Sequence, residues 1–167
     1  LPTDIIEMDY EELIGDFEVA LRNAGLESLK ATVKEGDWFD SPSIRLRLKK
    51  YHSKQIEDAI AHLLSMKRQP DSDRLCAAMN LGFWLGFYAG PLGDDLWPRH
   101  LITHWPKGTS LKVLRQDLHH VRELRNRIAH HESIYAPGWR HKRLSILRKR
   151  FEQLAPEMYQ FASSRFD

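Results

Sequence analysis

Arginine, asparagine and histidine within two helical turns form a set that can break a phosphodiester bond. The chain holds such a set as Arg125, Asn126 and His130, in the string Glu123-Leu124-Arg125-Asn126-Arg127-Ile128-Ala129-His130-His131-Glu132. RNA can be cut without a metal ion if a base takes the proton of a 2′-hydroxyl and an acid protonates the leaving 5′-oxygen. Histidine suits either task, because its unperturbed pKa lies near 6.5. A guanidinium can hold the phosphate through two hydrogen bonds and stabilise the charge of the phosphorane. An asparagine amide can fix either partner. The same three residues also fit a plainer purpose, since a helix C-terminus uses His and Arg to cap carbonyls and to pair with acids such as Glu123 or Glu132. Spacing leaves both readings open.

At about 100° per residue, Val121, Leu124 and Ile128 form an inward stripe, and Arg125 falls within it one turn after Val121. A guanidinium aimed into apolar surroundings is costly unless it meets an anion or a partner surface. Asn126 and His130, four apart, share a neighbouring face. His130 falls at the expected C-terminal end of the helix, where the dipole attracts positive charge.

Competing chemistries find less support. His119-His120 and His130-His131 invite a metal site, but positions eleven apart on one helix are separated by about 16 Å, too far for one ion with ligands near 2 Å. No metal and no cofactor is expected. The single cysteine, Cys76, excludes a disulfide framework and a cysteine-rich zinc module. No Gly-x-Ser-x-Gly elbow and no Gly-rich phosphate loop occurs.

The elements that must position these residues read as helices throughout, with apolar periods of three and four. The spacing predicts a first helix from Asp9 to Thr32 with Leu13, Phe17, Leu21 and Leu29 on one side, and with Glu18 and Arg22 paired one turn apart. A second runs from Ser53, as a cap, to Lys67, with Ile56, Ile60, Leu63 and Leu64 inward. A third, from Arg74 to Ala89, is apolar on nearly every side. Within it Gly82 and Gly86 allow a neighbouring backbone to approach, and Gly90-Pro91 ends it. Leu96 to Trp105 is a short link, Ser110 to His130 a long helix, and Leu144 to Leu154 with Glu157 to Phe166 a closing pair. The fold class is all-α, a single helical domain over residues 1–167, in keeping with a chain of this length.

Hydrophobic residues make up 42% and charged residues 29%, so extended disorder is excluded. A net charge of +2 conceals a division: residues 1–40 hold 11 acids against 3 bases, and the rest of the chain is strongly basic. The densest basic stretch, Arg140 to Arg150, includes Arg140, Lys142, Arg143 and Arg148, which could draw a phosphate backbone or simply form a solvated helix face. The longest apolar run, Cys76 to Gly90, falls short of the roughly 20 residues that span a bilayer. The chain is therefore expected to be cytoplasmic, with no membrane partner. It opens on Leu rather than Met, so a preceding segment is expected.

Arg125-Asn126-x-x-x-His130 resembles the Arg-Asn-three-spacer-His motif of HEPN domains, and Leu-Arg-Asn-Arg-Ile-Ala-His-His-Glu (124–132) resembles its Abi-like, or abortive infection, branch. Phe17-Glu18-Val19-Ala20-Leu21-Arg22-Asn23 is similar to that branch's first-helix motif. Asn80-Leu81-Gly82-Phe83-Trp84 is similar to its core helix, and Asp37-Trp38 and Leu96-Trp97 fall where the family also carries such pairs. The resemblance covers about residues 10 to 135. It implies a HEPN-like helical bundle that pairs as a homodimer, with the two motifs facing one another across a cleft. It further implies a metal-independent ribonuclease acting on RNA in phage defence or as a toxin, restrained by an antitoxin or regulator. By position, Arg125, Asn126 and His130 match the functional residues; Glu18, Arg22, His131 and Glu132 stand as supporting positions. The alternative is a HEPN-type module that binds RNA or a protein without cutting.

Overall fold

Wherever apolar residues recur at three and four positions, the chain is helical. A computed structural model describes residues 3–132 and 136–165, with side chains from residue 9 onward. The helices are α1 (Thr3–Thr32), α2 (Pro42–Arg45), α3 (Lys50–Ser65), α4 (Ser72–Ala78), α5 (Leu81–Gly86), α6 (Gly90–Leu96), α7 (Leu111–Ala129), α8 (Pro137–Leu154) and α9 (Pro156–Ser163). Short 3-10 turns occupy Trp38–Asp40 and Leu101–His104. Among the described residues there is no strand, so the all-α class holds. No helix there is long and apolar enough to cross a membrane.

Two compact units divide the chain, one built from residues up to 21 together with those from 105 on, the other from residues 22–104. In the discontinuous unit, α7 buries Leu114, Leu118, Val121, Leu124 and Ile128, a stripe at helical spacing. This face packs on α8, and α8 packs on α9. Phe17 of α1 meets Phe151 of α8 with ring centroids 5.7 Å apart, and Phe151 meets Tyr159 of α9 at 5.5 Å. Helix α8 starts well before the expected Leu144, because Pro137 supplies a fixed φ suited to a first helical turn. The expected end of the last helix, Phe166, lies outside the described residues.

The contiguous unit departs from expectation at its most apolar stretch. A single helix from Arg74 to Ala89 is not what forms. Met79 and Asn80 are extended, and Asn80 begins a new helix by accepting a hydrogen bond from the Phe83 amide at 3.0 Å. Asparagine competes for backbone groups and favours such a cap over a helix interior. The break lets Phe83, Trp84 and Phe87 pack edge to face with centroids 5.1–5.2 Å apart, a preferred aromatic geometry. Gly90-Pro91 opens α6 rather than closing a helix. The Gly86 position faces the ring of buried His52, not a backbone. It is Gly93 that meets main chain, since a Cβ there would lie 2.6 Å from the Phe87 carbonyl oxygen. Helix α3 begins at Lys50, so Ser53 lies inside its first turn and accepts from Arg45 Nε instead of capping. On the same helix Leu64 is exposed, while Ile56 and Leu63 are buried.

Candidate active site

Helix α7 carries the candidate residues to its C-terminal end. Its start is set by Ser110, whose hydroxyl accepts from the Val113 amide, and its apolar stripe holds it on α8. Its end is closed by a Schellman arrangement, in which the Glu132 amide donates to the Arg127 carbonyl at 2.8 Å and the His131 amide to that of Ile128 at 3.1 Å. His131 takes the left-handed position of this turn, with φ 52°. His130 occupies the cap position, exposed, with its amide donating to the Asn126 carbonyl at 3.0 Å.

Arg125 is half-buried rather than enclosed. Its Nη1 donates to Asn126 Oδ1 at 3.2 Å. Arg125, Asn126 and His130 therefore share the last turns of one helix. His131 and Glu132 follow, both exposed. Glu18 and Arg22 are half-buried, one turn apart on α1.

Glu123, offered by the sequence as a partner for Arg125 or His130, is engaged elsewhere. Its Oε2 accepts from Arg143 Nη2 at 2.6 Å, and its Oε1 lies 3.0 Å from His119 Nε2 and 3.6 Å from His120 Nδ1. Among the described residues no carboxylate pairs with Arg125 or His130. The Arg143 hydrogen bond is the main reason the Glu123 carboxyl is held below its ordinary value, against an opposing push from burial.

Two residues of the basic stretch offered for a phosphate backbone or a solvated face turn inward, and Arg143, one of those expected to draw RNA, is committed to a carboxylate instead. Arg143 is 9% exposed, stacked 4.0 Å from the ring of Trp139 as well as paired to Glu123. Arg127 of α7 stacks on the same ring at 4.2 Å, so one cation–π contact ties α7 to α8 while the Arg143 contact lies within α8. Arg150 is held by Asp117 and by Gln153. Lys142 and Arg148 are exposed, and Arg140 is half-buried. The sequence gives Trp139 only one signal, an aromatic directly after a Pro-Gly helix start.

Among the described residues no three His, Cys, Asp or Glu side chains gather as metal ligands. Burial pushes the Cys76 thiol up to about 11, which leaves it protonated and unreactive at neutral pH.

The depressed Glu123 value has a stability consequence. A carboxyl whose folded pKa lies below its unfolded one stabilises above the unfolded value, near 4.5, and loses that contribution as pH falls through the folded value. Wild type should therefore exceed Glu123→Gln in urea midpoint at pH 6, with the gap shrinking below about pH 4.5. A gap that stays constant to pH 2.5 would show that the ionised pair contributes nothing. Against known proteins, the chain matches no family model, no curated protein and no solved structure.

Proposed function

We propose that the chain is a metal-independent endoribonuclease of the HEPN, Abi-like type, acting in phage defence or as a toxin under the restraint of an antitoxin or regulator. One observation carries the reading: Arg125, with the Asn126 amide on its guanidinium, and His130 stand at one helix end, and among the described residues no carboxylate pairs with either. A helix that merely capped itself would be expected to use Glu123 or Glu132 for that purpose, and Glu123 is turned to Arg143.

In this mechanism Arg125 holds the scissile phosphate through its fork, and Asn126 orients that fork. One His130 takes the 2′-hydroxyl proton as the oxygen attacks phosphorus. The 5′-oxygen leaves with a proton from a second histidine, giving a 2′,3′-cyclic phosphate and a 5′-hydroxyl. A homodimer supplies the second His130, because an isologous contact brings two copies of the same helix end to one cleft.

Incubation of the protein with total RNA in EDTA, followed by mapping of fragment ends, tests the chemistry. Cleavage should persist and leave those ends. Loss on chelation with recovery on adding a divalent ion would overturn the mechanism, and binding without any cutting would leave an RNA-binding module in its place. Sharing of the cleft is read by co-expressing wild-type and His130→Ala chains. A confirmed mixed dimer, left with one His130, is expected to be as inactive as the His130→Ala homodimer, and a mixed dimer that keeps half of the wild-type rate would rule out a site built from two protomers.

A further inference from the structure

We propose that a groove between α1 and the outer face of α8 is a phosphate-binding subsite for one nucleotide of a single-stranded RNA. It rests on the reading of RNA as the substrate, and it lies on residues other than those of the cleavage set. The groove has a volume of about 390 Å³ and is lined by Tyr10, Arg140, His141, Leu144, Ser145 and Arg148.

The arrangement follows from how α8 sorts its basic side chains. Arg143 and Arg150 point to α7 and are each matched by a carboxylate there, Glu123 and Asp117. Arg140 and Arg148, two turns apart, point to the groove with His141 between them, and none of the three forms an ion pair among the described residues. No carboxylate lines the groove among those residues. Two guanidiniums with no counter-charge among the described residues raise the local positive potential, and an anion relieves it.

The lining also says what kind of anion fits. Guanidinium forks match phosphate oxygens in pairs, and the Ser145 hydroxyl adds a further donor. Tyr10 and Leu144 present a ring and an apolar side chain on which a base can lie, the combination by which single strands are held without sequence preference. The volume reaches the range of small-ligand pockets, which is more than a bare phosphate occupies. A nucleotide within an RNA strand and a free mononucleotide share this chemistry, and the strand is the occupant proposed.

Binding is measured by fluorescence anisotropy of a labelled single-stranded RNA, with His130→Ala present in every protein so that the probe is not cut. Arg140→Gln/Arg148→Gln should weaken binding at least about ten-fold. The slope of log affinity against log salt should also become shallower by about 0.7 for each lost phosphate contact. Tyr10→Leu should weaken binding with the slope unchanged, since it removes stacking and no charge. AMP and inorganic phosphate serve as competitors, and a weak effect of both at millimolar concentration is expected. Unchanged affinity and slope in a double variant with wild-type circular dichroism would overturn the subsite. So would tight AMP binding with no RNA binding, which would make the groove a mononucleotide site. The subsite and the ribonuclease fail separately. Cleavage by wild type with unaltered binding in the double variant sinks only the subsite. Weakened binding in that variant, with no cutting by wild type, leaves the subsite standing and removes the ribonuclease.

Discussion

Alanine at His130 is expected to lower RNA cleavage by about a hundred-fold or more while shifting the melting temperature by little. The side chain is exposed at the cap of α7, and its amide, not its ring, makes the hydrogen bond that closes the turn. Surface substitutions of this kind fall within about 0.5 kcal/mol in stability. Arg125→Lys should be nearly as damaging to cleavage, because an ammonium cannot form the two parallel bonds of a guanidinium to phosphate and cannot reach Asn126 in the same plane. The two variants separate the rival accounts of this helix end. If His130→Ala unfolds the protein, the imidazole serves the helix. If both variants cut at the wild-type rate, the chemistry lies elsewhere.

The largest loss of stability is expected at Asp117. Its carboxylate accepts from Arg150 Nε at 2.8 Å and lies 2.6 Å from Nη2, and the arginine side chain is only 6% exposed. Removing one member of such a pair strands the other charge away from water. Asp117→Ala should therefore cost about 3 kcal/mol or more, or roughly 10 °C in melting temperature for a chain of this size. Replacing both members by apolar residues, as Asp117→Leu/Arg150→Met, should recover much of the loss, because the pair's attraction is largely offset by its own desolvation. Urea titration of the three proteins decides the matter. A loss below about 0.5 kcal/mol in the single variant would place the pair with ordinary surface ion pairs.

Local grammar was legible in the sequence, and long-range pairing was not. Ser110 as the helix start, the stripe through Val121, Leu124 and Ile128, and His130 as the helix end all follow from neighbours within a turn or two. The structure has α7 at Leu111–Ala129 with those two residues as its caps. The gathering of Arg125, Asn126 and His130 was legible for the same reason. The break at Asn80 was signalled only by one polar residue in an apolar run, where helix periodicity and a cap compete. Arg143 and Arg150 looked solvated because their carboxylates sit 20 and 33 residues away on another helix. No spacing rule reaches that far. Gly90-Pro91 was ambiguous in kind: glycine followed by proline stops one helix as readily as it opens the next.

The discontinuity of one unit bears on how the molecule comes to be assembled. Residues 22–104 form a compact body from an unbroken stretch, whereas Phe17 can meet Phe151 only after that whole stretch has been looped out. Closing an unstructured loop of this length costs on the order of 4 kcal/mol in chain entropy, and contacts so distant in sequence are slow to form. Once the intervening residues are compact, their ends are brought near and most of that penalty is gone. Along any route that begins with the contiguous body, α1 meets α8 late, and the unit that bears Arg125 and His130 is the last to be completed.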